Sequence, residues 1–215
     1  MISATVHILA CLLALATLVA AGAGLPAAGS LGAPALEIAA ALSVHLQFAA
    51  LSLVWLVTAP FWRREQPRFR DSGWPSLRAM AWLAPAATLA QIALGAAYRY
   101  RVSSVIPHVT WAFAASILLL MFGSFVLTQA AAAPALQRAA AALVTLVGLQ
   151  VVLGVMALLY RVAQIGGGWM EWASRAHMAA GAAVLGLAVI LSAFVLRCVE
   201  PASQPAPLAS NGTNA

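Results

Sequence analysis

The sequence predicts an all-α fold: a polytopic membrane bundle of six transmembrane helices, built from three helical hairpins, with a histidine on each even-numbered helix. Three observations lead there. Of 215 residues, 64% are hydrophobic and 7% charged, whereas a soluble globule is about a quarter charged, so too few polar groups remain to cover a water-facing surface. The apolar residues gather into six runs, at about 3–24, 36–60, 79–98, 106–129, 136–160 and 173–197, each near the roughly 20 residues that cross a bilayer core. The eleven basic residues are all Arg and lie between the runs or near their ends, as expected when an Arg at mid-helix costs about 2.5–3.5 kcal/mol.

The first run has no basic segment before it and is longer than the apolar core of a signal peptide, so it is expected to be retained as a span although Ala-Gly-Ala at 21–23 resembles a cleavage site. His7 sits near its start, at interfacial depth. The second run carries Glu37 and His45, and the segment after it holds Arg63, Arg64, Arg68, Arg70 and Arg78. Arg138 and Arg197 fall on the same side as these five, while Arg99, Arg101, Arg161 and Arg175 fall on the other. The excess of Arg marks the cytoplasmic face. Both termini are therefore expected in the cytoplasm, with loops 25–35, 99–105 and 161–172 facing outward from a bacterial-type inner membrane. The net charge of +6 is a property of these loops and does not point to nucleic acid. Trp74, Trp82, Trp169 and Trp172 are expected at the water–lipid boundaries. Cys11 and Cys198 have no C-x-x-C spacing and read as small apolar residues. Residues 1–200 form one membrane domain, and 201–215, rich in Pro, Ala, Ser and Asn, read as a disordered cytoplasmic tail.

A repeat organises the later runs. Gln91-Ile-Ala-Leu-Gly95 leads to Tyr98-Arg99, an outer loop and then His108; Gln150-Val-Val-Leu-Gly154 leads to Tyr160-Arg161, a longer loop and then His177. Gln and Gly four apart share a helix face, and small residues with a Gln are ordinary means of packing membrane helices. Packing alone does not explain the His that follows each time. The first hairpin is a weaker copy, with Gly22, Gly24 and His45 but neither the Gln nor the Tyr-Arg pair.

Ionisable residues within membrane spans are rare and point to function. His45, His108 and His177 all lie in the outward half of their spans, and each is followed four residues later by a small residue, Ala49, Ala112 or Gly181. A haem lying against a helix needs a ligand His and an open neighbouring turn, and two facing His can bind a b-type haem in a bundle. Each His could equally hydrogen-bond a neighbouring helix. Arg99, Arg101, Arg161 and Arg175 are candidates to meet haem propionates, or they are snorkelling interfacial residues. Trp111, three residues after His108, could face lipid or a macrocycle.

These motifs resemble the haem A synthase family of cytochrome oxidase assembly, in which a rising helix with a Q-x-x-L-G-type motif precedes a returning helix with a haem-ligating His. The resemblance covers most of 80–197 and, weakly, the first hairpin. It implies ligation of haem iron by His45, His108 and His177, haem O or haem A as substrate or product, oxidation of a haem methyl group, and quinol or another electron donor and oxidase assembly proteins as partners. Glu37 and Glu171 are the acidic candidates for proton handling. The chain departs from the family in having six predicted helices where eight are typical. It has no Cys in loop 25–35, Glu37 stands two turns before His45, and Leu46 stands where an Arg usually follows the His. These departures leave room for two other functions, a quinol-linked b-type cytochrome that only transfers electrons and a haem-free assembly or scaffold protein.

Overall fold

The computed structural model describes residues 2–23, 33–64, 67–71, 74–129, 133–163 and 168–200. The expected tail 201–215, most of loop 25–35 and the side chain of His7 lie outside the described residues. The fold is helical. Six long helices, α1 (Ile2–Ala23), α2 (Pro34–Thr58), α4 (Leu77–Arg99), α5 (Val105–Gln129), α6 (Pro134–Leu158) and α7 (Gly168–Cys198), are joined by a short α3 (Pro60–Arg63) and two short strands, β1 (Phe69–Arg70) and β2 (Val199–Glu200). Among the described residues, α2, α4, α5, α6 and α7 are long and apolar enough to cross a membrane.

Local chemistry starts the helices where the sequence allows. Pro34 and Pro134 open α2 and α6, where a missing N–H is harmless. Ser76 caps α4 by accepting a hydrogen bond from the Ala79 amide at 3.2 Å. One boundary differs from the sequence expectation. Loop 161–172 is shorter than expected, because α6 runs on through a π turn at Leu159–Ala163 and α7 begins at Gly168. Glu171 lies in the first turn of α7 and pairs with Arg175 one turn later at 2.6 Å. An acidic first turn and an i,i+4 ion pair both favour helix there.

In the bundle, α4 packs on α5 and α7, α5 on α6, and α6 on α7. These four form a square in which α5 and α7 are diagonal. On one side, α2 packs against α4 and α7, and α1 against α2 and α7. Four helices therefore pack on α7, and more than half of its apolar window is buried, a larger share than in the other four candidate spans. Close approach is made by removing side chains. A Cβ on Gly123 of α5 would stand 2.6 Å from Val144 Cγ2 of α6, and one on Gly186 of α7 would stand 2.7 Å from Phe48 Cε1 of α2. Without a strong hydrophobic drive between helices in lipid, such contact is what holds them together.

The square has two unlike halves. Leu77, Met80 and Ala84 at the start of α4, Leu119, Phe122 and Val126 late in α5, Leu136 and Leu143 early in α6, and Leu191, Phe194 and Val195 late in α7 make one apolar core. This is the Arg-rich end. There Arg78 donates to the Leu196 and Val199 carbonyls, at 3.2 and 2.8 Å, and Arg197 donates to the Trp62 and Arg64 carbonyls. β1 pairs in parallel with β2, so the α2–α4 connection is tied to the end of α7. The other half holds the histidines.

Candidate functional site

The end of α4, the start of α5, the end of α6 and the early part of α7 converge in that second half. His108 sits in the first turn of α5 and His177 in the third turn of α7. Their ring centroids are 6.5 Å apart across the diagonal, with ring planes at 88°. Each ring lies on a glycine of the preceding helix. A Cβ on Gly95 would stand 2.9 Å from His108 Cε1, 3.2 Å from Nδ1 and 3.8 Å from Nε2; on Gly154 the distances to His177 are 2.9, 3.3 and 3.8 Å. The repeat read from sequence is thus also a repeat of contacts, and the motif glycines serve the histidines.

The Nδ1 atoms are held as well. His177 Nδ1 lies 3.2 Å from the Gln150 carbonyl oxygen. His108 Nδ1 lies 3.1 Å from the Gln91 side-chain amide. The Oε1 atoms of Gln91 and Gln150 are both buried without a hydrogen-bond partner. Gln150 extends toward α7, where a Cβ on Gly181 would meet its Nε2 at 3.3 Å. The small residue four positions after His177 therefore makes room for a Gln, not for an empty turn. Trp111 donates its indole N–H to the Ala87 carbonyl at 3.0 Å, which clamps α5 to α4 beside the site.

The third histidine stands apart. His45 is buried in α2, its Nδ1 is 2.7 Å from the Ala41 carbonyl oxygen of its own helix, and it also meets the backbone of Met178. Among the described residues it makes no ring contact with His108 or His177. The structure brings together the two histidines of the stronger repeat and leaves the one of the weaker copy aside.

The cationic candidates separate too. The Arg99 guanidinium lies against Met178 Sδ, beside the residue that follows His177. Arg161 reaches across the square, stacks 5.0 Å from the Tyr98 ring and donates to the Arg99 carbonyl at 3.5 Å. Arg99 and Arg161 thus meet at the end of the square that holds the histidine pair. Arg101 is exposed, with a left-handed backbone (φ 61°) in the turn after α4. Arg175 is engaged by Glu171 and lies over the Trp172 ring at 5.4 Å. Of the acidic candidates, Glu171 is in that exposed ion pair, and Glu37 is buried near the start of α2, eight residues before His45. Among the described residues, no group of three or more His, Cys, Asp or Glu is placed to hold a metal ion, so the donor set here is a pair of imidazoles.

Sequence reasoning found the histidines and the Gln-Gly spacing but assigned the latter to packing. Met178, and the roles of Gly95 and Gly154 as seats for the rings, carry no signal in a single sequence, because each depends on which helix lies opposite. No protein-family model, curated protein or solved structure matches this chain.

Proposed function

We propose that this chain is a six-span membrane protein that binds a b-type haem between His108 and His177 and relays electrons through it. In this reading α1 is the sixth span, both termini are cytoplasmic, and the four-helix square resembles one haem-binding half of a haem A synthase.

The residues fit such a group. With a metal–imidazole bond of about 2 Å and a ring nitrogen about 1.1 Å from its ring centre, imidazoles on opposite faces of one iron stand about 6.3 Å apart. The observed separation is 6.5 Å. Both Nδ1 atoms have partners, which leaves Nε2 as the ligating atom on each side. The single observation that carries the proposal is this diagonal pair, with each ring seated on its own glycine.

When bound, haem would supply one-electron chemistry. The chain's own residues do the rest. His108 and His177 bind from opposite helices. Gln91 and the Gln150 carbonyl fix the ring orientation, and such partners commonly change metal affinity 10- to 100-fold. Arg99 and Arg161 offer guanidinium groups to propionates at their end of the square. The apolar half below the site excludes water.

A second reading concerns the chemistry served by those electrons. Both imidazoles would be taken up in holding one iron, so this site favours electron transfer. Oxidation of a haem methyl group, as in haem A synthesis, would need a second haem as substrate, and His45 is the remaining histidine candidate for it. The test has two arms. Purified protein should show a low-spin b-type spectrum when reduced; protein that binds no haem removes both readings. Haem O accumulating in place of haem A in cells without the gene identifies the synthase; unchanged haem A leaves the electron-transfer subunit.

A further inference from the structure

In an α-helix each carbonyl accepts the amide of the residue four later. The oxygen has a second lone pair, but the side chain at that later position leans back over the turn before it and covers the carbonyl. A glycine there uncovers it. Gly154 stands four residues after Gln150, and His177 Nδ1 comes within 3.2 Å of the Gln150 oxygen. The His108 ring lies on Gly95 at nearly the same distances as the His177 ring on Gly154 and also meets the Gln91 backbone. The Q-x-x-L-G spacing is therefore the spacing needed to let an imidazole rest on helix backbone.

A carbonyl oxygen only accepts, so its partner nitrogen must carry hydrogen. A neutral imidazole with hydrogen on Nδ1 has its lone pair on Nε2. At His108 the Gln91 amide also faces Nδ1, and its oxygen is otherwise unpartnered. Half a turn of that amide leaves its shape unchanged, gives the oxygen a donor and again selects Nδ1–H. We infer that Gln91–Gly95 and Gln150–Gly154 are two copies of one backbone socket that fixes His108 and His177 as the Nδ1–H tautomer and presents both Nε2 lone pairs to a shared metal. The purpose of the socket rests on the haem reading, whereas the tautomer rests on the contacts alone. Gly95 and Gly154 are thus positioning residues.

The test is nitrogen NMR on the full chain, labelled with ¹⁵N-histidine, in lipid bilayers and without haem. His→Ala variants assign the signals. The wild type should show a protonated-type Nδ1 and an unprotonated-type Nε2 at both His108 and His177. A free imidazole side chain favours the opposite tautomer, so the outcome discriminates. Gly154→Ala should convert His177, and Gly95→Ala His108, to Nε2–H or to a mixture. Gly148→Ala, on the same helix as Gly154 but with open space at its Cβ, should leave both unchanged. Gln150→Leu should also leave His177 as it is, because the acceptor belongs to the main chain. Nε2–H at either histidine in the wild type overturns the inference without recourse to any glycine variant. Nδ1–H at both, in a protein that never takes up haem, would retain the socket and remove the haem reading.

Discussion

Truncation of His108 to Ala should convert a six-coordinate low-spin haem into a five-coordinate high-spin one without unfolding the bundle. With ring centroids 6.5 Å apart, the iron would sit about 3 Å from each centre, given metal–nitrogen bonds of about 2 Å. Neither Gln91 nor His45 is placed to take the lost position. The Gln91 amide lies 3.1 Å from Nδ1, on the side of the ring away from Nε2, far outside bonding distance. His45 is packed against Ala41 and Met178 on the α2 side. The truncation leaves a void of imidazole shape, so free imidazole should restore the low-spin state. A tethered group acts at an effective concentration of about millimolar or more, so rescue should require imidazole at or above that range. The assay is an optical and electron-spin titration of the purified variant. An unaltered low-spin spectrum in His108→Ala, before any imidazole is added, would falsify the ligand assignment.

Other expectations follow from the same geometry. His45→Ala should keep the low-spin spectrum of the wild type; loss of that spectrum in a folded variant would move the ligand pair to α2. Gly123→Ala places a Cβ 2.6 Å from Val144 Cγ2, so it should lower stability by about 1–3 kcal/mol, the usual cost of overpacking; Val144→Ala in the same chain should recover most of the loss. Unfolding in detergent measures both, and an unchanged Gly123→Ala would refute the close α5–α6 contact. A topology reporter fused after Leu127 should read cytoplasmic and one near Gly167 outside, while the reverse pattern would invert the membrane orientation.

The spans were legible because bilayer thickness and the cost of buried Arg both leave marks along a single chain. Helix α2 begins and ends within two residues of its apolar run, and α5 within one. The early start of α7 was not legible, since Gly166-Gly-Gly168 reads as loop until Glu171 and Arg175 are seen to close a turn. At the site, sequence placed His45, His108 and His177 at similar depth, because depth can be read from position in a run, and marked the hairpin of His45 as the weaker copy. The Q-x-x-L-G repeat already linked His108 with His177, but that they face each other follows from the diagonal of the square, which depends on how its four helices pack. The small residue after His177 has a reason that sequence did not show: Gly181 leaves room for Gln150, a residue on another helix.

The central position of α7 also bears on biogenesis. A ribosome delivers helices to the membrane in chain order, so α2, α4, α5 and α6 reach the bilayer before the helix on which α1, α2, α4 and α6 pack. Until Gly168–Cys198 emerges, those helices have neighbours but no centre, and one face of the nascent protein stays open to lipid or to an insertase. Translation that stops before Gly168 would forfeit four interfaces and one imidazole together. The same late helix then receives the Arg78 and β1 contacts at its far end, so closure of the bundle and fastening of the α2–α4 connection are a single final event.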